Sequence, residues 1–163
     1  MRVKIFLFCA LCCLLFWGCA PQNGDYFAPF SGGFSARIEG TWQEMDFSAE
    51  VAARPQDAQG ARAMTLTFYA PDTLAGTVLT CDAAGQISME LDGISLPLEG
   101  AAAQGYGALF ALFPTDGEVT SVTQEDGGTW VRGVNYSLLF AADGTPLATE
   151  NAAARVQMTK FVR

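Results

Sequence analysis

Cysteine is the residue type in this chain with the widest chemical repertoire, and the sequence contains five. Cys9, Cys12, Cys13 and Cys19 lie within the first 19 residues, whereas Cys81 lies in the body of the chain. The Cys9-x-x-Cys12 spacing is that of a redox pair, but it falls inside an apolar leader that we expect to be removed. Cys81 is then left without a second cysteine for an intradomain disulfide, and we interpret it as a small buried apolar side chain.

Histidine is absent from the whole sequence. This excludes Ser-His-Asp and Cys-His catalysis and the usual zinc ligand sets. A carboxylate pair such as Asp116 and Glu118 could serve glycoside hydrolysis, but it flanks a Thr-Asp-Gly turn, where solvated acids are routine. The sequence also contains neither a phosphate-binding loop nor a dinucleotide fingerprint. We therefore expect a protein without enzymatic activity, metal or cofactor.

The N-terminus has the layout of an export signal. Arg2 and Lys4 precede a charge-free apolar run from residue 5 to residue 17, and Gly18-Cys19 ends it. The run is shorter than the roughly 20 apolar residues of a membrane span, which indicates a signal-peptide core. Its ending resembles the bacterial lipoprotein signal, in which the cysteine is acylated, typically with palmitate, and becomes the mature N-terminus. A conventional secretory signal cleaved nearby is the alternative.

These features predict three segments. Residues 1–18 form a signal peptide, residues 19–33 a lipidated N-terminus followed by a flexible tether rich in Pro, Gly and small polar residues, and residues 34–163 a single domain. The resulting location is the extracytoplasmic face of the cell membrane, with Cys19 as the lipid anchor. After loss of residues 1–18 the chain has seven Lys and Arg against 17 Asp and Glu, a net charge of −10. That charge opposes binding to nucleic acid and to anionic lipid headgroups.

Alternation of apolar and polar residues with a period of two dominates the sequence after residue 33. Ala36, Ile38, Gly40 and Trp42 alternate with polar residues, and similar patterns recur over residues 45–51, 64–69, 87–92 and 94–98. Asp92-Gly93 joins the last two segments and favours a type I′ hairpin turn. Further strands are predicted over residues 118–124, 129–134, 136–141 and 153–162. One-sided alternation with short turns is typical of an antiparallel sheet.

One segment has helical spacing. Tyr106, Leu109, Phe110 and Phe113 recur at helical intervals before Pro114, which predicts a short helix centred on residues 105–113. A single short helix is too small to cover nine or ten strands as a flat layer. The predicted fold is therefore mainly β (α+β), with a strongly curved antiparallel sheet that forms an incomplete barrel around one short helix.

The stretch MTLTFYAPDTLAG at residues 64–76 resembles a feature of the LolA/LolB-like lipoprotein-carrier family, in which a strand ends in an aromatic-x-x-Pro motif before a leucine and a glycine. The order of elements over residues 35–162 is also similar, including the Asp92-Gly93 hairpin, the apolar helix and the terminal strand with Lys160-Phe161. The related group of germination lipoproteins that includes GerS shares this fold.

The resemblance implies an incomplete barrel whose apolar cavity binds acyl chains in carriers, or a protein partner in the GerS group. We therefore expect a membrane-anchored lipoprotein that binds a lipid or other amphiphile. The alternative is a membrane-tethered scaffold for a protein partner, such as an envelope or spore-cortex enzyme. This chain departs from carriers because a tether, not an amphipathic helix, precedes the first strand. Ten large apolar residues are candidates to line the cavity: Trp42, Phe47, Phe68, Met89, Leu96, Phe110, Phe113, Trp130, Tyr136 and Phe140.

Overall fold

A computed structural model describes residues 25–125 and 127–163 of the chain. These residues form two helices and 11 strands. In chain order they are α1 (Ala28–Ser31), β1 (Phe34–Trp42), β2 (Met45–Ala53), β3 (Met64–Ala70), β4 (Val78–Cys81), β5 (Ile87–Leu91), β6 (Ile94–Pro97), α2 (Gly100–Phe110), β7 (Val119–Glu125), β8 (Gly128–Gly133), β9 (Ser137–Phe140), β10 (Pro146–Glu150) and β11 (Ala154–Val162).

All 11 strands belong to one antiparallel sheet with the order β6-β5-β4-β3-β2-β1-β11-β10-β9-β8-β7. β6 and β7 are its two edges, so the sheet does not close on itself. This confirms the predicted fold class: a mainly β protein with an open antiparallel sheet that forms an incomplete barrel around a helix.

The two faces of the sheet differ as the alternation predicted. Phe34, Ala36, Ile38 and Trp42 of β1 are buried on one face, and the corresponding residues of β2, β3 and β11 are buried with them. We call this the inner face, because α1 and α2 pack against it. The intervening polar residues, such as Glu39, form the outer face and lie in solvent.

The Asp92-Gly93 turn is confirmed. Asp92 and Gly93 have φ angles of 52° and 78°, and the flanking residues Leu91 and Ile94 are paired. Two consecutive positive φ angles in a two-residue loop define the type I′ turn, whose twist matches that of the strands it joins. The register of the β5–β6 hairpin therefore follows directly from this dipeptide.

The helix α2 begins earlier than predicted. It covers Gly100–Phe110, and the chain then turns through Leu112 and Phe113, which are both buried. Gly105 and Gly107 lie within the helix although glycine disfavours helix interiors. At Gly107 the reason is tertiary, because a Cβ there would lie 3.3 Å from the Ile87 Cδ1 atom of β5. The glycine allows the helix to approach the sheet closely.

Polar side chains hold the C-terminal end of α2, whose last carbonyl groups lack partners within the helix. The Asn151 side-chain amide donates to the Ala108 carbonyl at 2.7 Å, and the Thr149 hydroxyl donates to the Leu112 carbonyl at 2.6 Å. Thr149 belongs to β10, a strand that the alternation did not predict. β10 begins at Pro146 beside a register shift, and this interrupts its period-two pattern.

The predicted flexible tether over residues 19–33 is wrong for residues 26–31, which are packed against the sheet. Phe30 of α1 is completely buried, and the ring of Phe27 packs edge-on against Tyr136 with a centroid distance of 5.7 Å. The Tyr26 ring also lies 6.0 Å from that of Phe140. This part of the chain belongs to the packed domain, which therefore does not begin at residue 34. Burial of its aromatic rings outweighs the loop-forming tendency of the neighbouring Pro and Gly residues.

Candidate binding surface

Six of the ten predicted cavity residues lie in the hydrophobic core. They are Trp42, Phe47, Phe68, Phe110, Phe113 and Phe140, with exposed fractions between 0% and 7%. The structure brings these six together in one hydrophobic cluster on the inner face.

Neighbouring side chains occupy the space around these residues. Phe113 lies 5.6 Å from Phe34 and 6.1 Å from Phe30, measured between ring centroids. Trp42 lies 4.9 Å from the ring of Tyr106 in α2. The expected cavity at the centre of the inner face is therefore largely filled by the chain's own aromatic rings.

Trp130 and Tyr136 are not among the buried core residues, and of the two only Tyr136 packs against the core. Trp130 alternates with the buried Val131 and is paired with Leu139, so it belongs to the outer face, where the Arg132 guanidinium lies 5.4 Å from its ring. Tyr136 lies in the turn before β9, and its hydroxyl donates to the Glu118 carbonyl at 3.1 Å. The expectation that all ten residues share one face fails here, because the β8–β9 register turns Trp130 outward.

Two open grooves on the surface differ from the predicted site. One of about 600 Å³ crosses the outer face over β1, β2 and β11 and is bordered by polar side chains that include Glu39, Asp46 and Arg155. A second, of about 400 Å³, lies at the ends of β2, β3 and β4 beside Arg54 and Asp82. Of the ten residues predicted to line the cavity, only Phe47 borders either groove.

The last two candidates, Met89 and Leu96, lead to an open apolar surface. The cross-strand partners Leu66, Leu79, Met89 and Leu96 form one row on the inner face from β3 to β6. Leu66 and Leu79 are completely buried, Met89 is partly exposed, and Leu96 is 59% exposed. The apolar inner face therefore extends beyond the area that the helices cover.

A second, shorter row of apolar side chains lies beside the exposed end of the first row. Leu91 of β5 and its partner Ile94 of β6 are 44% and 64% exposed. We call Met89, Leu91, Ile94 and Leu96 the apolar strip. The sequence analysis included two of its members and missed Leu91 and Ile94. Alternation placed both on the inner face, but it gave no signal that this part of the face is uncovered.

The charged residues of β5, of the turn before β6 and of the segment before α2 are all acidic. Residues 63–131 contain no Lys or Arg but include nine Asp and Glu residues, of which Glu90, Asp92 and Glu99 flank the strip in sequence. All three are exposed, but Glu90 alternates with Met89 and Leu91 and therefore points to the outer face. The ion pairs in the described ranges join Arg37 with Glu39, Arg132 with Glu125 and Arg155 with Glu150, and none of them neutralises these three carboxylates.

Reactive groups are sparse in the described part of the chain. These residues contain no cluster of three or more His, Cys, Asp and Glu side chains that could hold a metal ion. Burial and the neighbouring Asp82 carboxylate raise the pKa of the Cys81 thiol, which keeps it protonated and unreactive at neutral pH. No helix in these ranges is both long and apolar enough to cross a membrane. Cys19, the predicted anchor, lies outside the described residues.

Comparison with known proteins establishes a similarity of fold. No protein-family model matches the sequence, and no curated protein does so either. An uncharacterized conserved protein from Thermus thermophilus superposes with a TM-score of 0.52 at 16% identity, over 85% of this chain and 83% of the other. This similarity places the two chains in one fold and supplies no function.

Two further structures superpose with lower scores. The MucA/MucB complex of Pseudomonas aeruginosa gives a TM-score of 0.43 at 15% identity, over 85% of this chain and 54% of the other. A LolA superfamily protein from Nitrosomonas europaea gives 0.39 at 7% identity, over 83% of this chain and 90% of the other. At these scores and identities, the functions of those proteins are not transferred to this chain.

Proposed function

We propose that this chain is a membrane-anchored binding protein of the cell envelope, without enzymatic activity, that docks a protein partner on the apolar strip. The observation that carries the proposal is the exposure of Leu91, Ile94 and Leu96, at 44%, 64% and 59%, on the face of the sheet that holds the buried core. Contiguous apolar side chains on a protein surface commonly mark an interaction site. The absence of histidine and the protonated Cys81 thiol support a binding function.

The filled core favours a protein partner over an enclosed lipid. An acyl chain gains most from a pocket that removes it from water on all sides. Here Phe110 and Phe113 are 5% and 1% exposed, and Phe113 packs against the rings of Phe30 and Phe34, whereas the apolar strip is open. An open apolar surface is suited to a protein partner, which can bury an apolar face of its own against it.

A lipid or other amphiphile is the second candidate. It is favoured by the continuity of the row Leu66, Leu79, Met89 and Leu96, which runs from the core to the open surface without a polar side chain. A hydrocarbon chain lying along this row would contact apolar atoms over its whole length. The neighbouring Asp92 and Glu99 carboxylates oppose an anionic headgroup.

A photo-crosslinking amino acid at position 94 separates these candidates. In membranes of the source cell, crosslinking through Ile94 is expected to give a protein adduct of defined mass. Val162 is the matched control, because it is 58% exposed but is paired with Ser35 on the outer face. A lipid adduct at position 94 would favour the second candidate. Equal adducts at both positions, or none at position 94, would refute the proposed docking site.

The lipid anchor is tested separately. Cys19→Ser removes the thiol that the lipoprotein signal would acylate, so we expect the protein to leave the membrane fraction or to remain unprocessed. Mass spectrometry of the mature N-terminus provides the second measurement. Unchanged fractionation together with an N-terminus free of acyl mass would contradict anchoring through Cys19.

A further inference from the structure

We infer that the partner segment is an amphipathic helix with a basic polar face, bound along the apolar strip; this inference rests on the proposed function and specifies the chemistry of the partner. Three features of the described residues lead to it. They are the backbone groups that edge strand β6 leaves open, the side chains of the strip, and the charge around them.

The edge of β6 is poorly suited to receive an added strand. The Leu98 amide donates to the Ile87 carbonyl at 2.8 Å, and antiparallel pairs alternate, so the backbone groups of Leu96 and Ile94 also point towards β5. Ser95 and Pro97 are the β6 residues whose backbone faces outward. Pro97 lacks an N–H group, which leaves Ser95 as the outward donor of this four-residue strand. A short edge that contains proline resists strand addition.

The strip itself disfavours an extended segment lying across its face. Met89, Leu91, Ile94 and Leu96 have no side-chain group that donates or accepts a conventional hydrogen bond. An extended backbone on this surface would bury N–H and C=O groups without hydrogen-bond partners, which is unfavourable for each group left unpaired. A helix satisfies its backbone groups internally and presents apolar side chains on one side. The strip therefore fits a helix better than a strand.

The charge of this part of the molecule determines the sign of the helix's polar face. Asp92 lies in the turn between β5 and β6 and Glu99 directly precedes α2, and residues 63–131 supply no basic side chain to balance these two carboxylates. The aliphatic parts of Lys and Arg side chains on the helix would lie against the strip, and their charged ends would reach these carboxylates. A second copy of this chain bound through the same surface would instead bring like charges together.

Model peptides of defined pattern test the inference. The probe is a peptide of about 18 residues, five helical turns, composed of Leu and Lys with Leu at helical spacing. One control has the same composition with Leu and Lys alternating at period two, and a second replaces every Lys by Glu. Binding is measured by fluorescence anisotropy on the mature protein in nanodiscs of neutral phosphatidylcholine, with empty nanodiscs subtracted. We expect the helical Leu-Lys peptide to bind most tightly, with an affinity that falls as salt rises.

Variants of the strip separate apolar contact from non-specific attraction between charges. Ile94→Asp and Leu96→Asp each add a negative charge, so electrostatic attraction alone would strengthen binding of the basic peptide. We expect the double variant to weaken binding by at least about tenfold, because two apolar contacts are lost. Val162→Asp adds the same charge on the outer face and is expected to leave the affinity within about twofold. Circular dichroism of each variant verifies that the fold is retained.

Several results would overturn the inference. Binding of the period-two peptide as tight as that of the helical peptide would indicate an extended partner. If the Glu peptide binds as tightly as the Lys peptide, the partner does not need a basic face. If the double variant binds with unchanged affinity, the apolar strip is not the binding site. Binding to phosphatidylglycerol vesicles that disappears in the double variant would assign the strip to lipid. A protein adduct at position 94, combined with failure of the helical peptide, would refute this inference while leaving the proposed function intact.

Discussion

Arg62 shows how one half-buried cation can join separate parts of a small domain. Its guanidinium donates to the carbonyl of Phe30 at the end of α1 and, at 2.6 Å, to the carbonyl of Phe113 after α2. It also lies 5.6 Å from the centre of the Phe34 ring. Burial lowers the pKa of Arg62 to about 10, so the side chain stays charged at neutral pH. The residue satisfies two carbonyl groups that the helices leave open.

Arg62→Met should therefore destabilise the protein. The variant leaves both carbonyls unpaired, and hydrogen bonds from charged groups contribute about 1.5–3 kcal/mol each, so we expect a loss of about 2 kcal/mol after relief of the desolvation of arginine. Arg54→Met is the matched control, because Arg54 is exposed and should change stability by less than about 0.5 kcal/mol. Urea denaturation measures both. Equal stability of the two variants would contradict this role of Arg62.

Tyr69 gives a prediction for pH dependence at the same scale. Its hydroxyl donates to the Glu50 carboxylate at 2.9 Å on the outer face, and this hydrogen bond raises the pKa of Tyr69 above its ordinary value. Because the folded state favours the neutral phenol, the stabilisation is present below the ordinary tyrosine pKa and is lost as pH rises through the raised value.

Ultraviolet titration measures this shift directly. The difference between the wild type and Tyr69→Phe isolates the Tyr69 transition, and Glu50→Gln should move that transition to lower pH because the carboxylate acceptor is gone. An identical transition in the presence and absence of the Glu50 carboxylate would show that the hydrogen bond does not control the pKa of Tyr69.

At the scale of elements, the junction of β1 and β11 depends on a glycine. A Cβ atom at Gly40 would overlap the Arg155 carbonyl oxygen and lie 2.7 Å from the Val156 Cα atom. Both atoms belong to the backbone, so a rotamer change cannot relieve the contact. Gly40 thus allows the close approach of two central strands, in keeping with the use of glycine where curved sheets bend.

Gly40→Ala is expected to cost about 1–3 kcal/mol, the range for overpacking in a core. Gly32→Ala provides the comparison, because a Cβ at Gly32 meets no atom within 4 Å and its φ of −76° suits any residue. That change should be neutral or slightly stabilising, since it restricts the unfolded chain. Thermal unfolding followed by circular dichroism distinguishes the two. If Gly40→Ala is as stable as the wild type, the close approach of β1 and β11 does not require glycine at position 40.

At the scale of the whole molecule, the inner face has a covered part and an open part. The aromatic rings of Phe30, Phe34 and Phe113 fill the covered part, where α1 and the segment after α2 meet the sheet. The open part is the apolar strip on β5 and β6. Truncation of a side chain should therefore have opposite consequences in the two parts.

Phe113→Ala and Leu96→Ala test this division. Phe113 is 1% exposed, so its truncation should cost about 3–5 kcal/mol and leave the bound partner unchanged in protein that remains folded. Leu96 is 59% exposed, so its truncation should cost less than about 1 kcal/mol while weakening partner binding. Denaturant unfolding and crosslinking through position 94 provide the two measurements. Severe unfolding of Leu96→Ala would show that the strip belongs to the core.

Local sequence patterns determined much of this protein. The period-two alternation identified most strands and assigned the residues of β1, β2 and β3 to the correct faces, because successive side chains of a strand point to opposite sides. Asp92-Gly93 determined a turn and its register, since positive φ angles are open to few residue types. The absence of histidine limited the available chemistry without any reference to structure.

Only the tertiary structure decided which apolar residues are covered. Phe30 lies in a segment whose composition indicated a tether, yet it is buried because the chain folds back onto the inner face. Trp130 lies on the outer face because of the β8–β9 register, while Leu91, Ile94 and Leu96 stay exposed because α2 reaches β5 without covering β6. Alternation specifies which side chains share a face, but burial depends on what packs against that face, and those contacts join residues far apart in the chain.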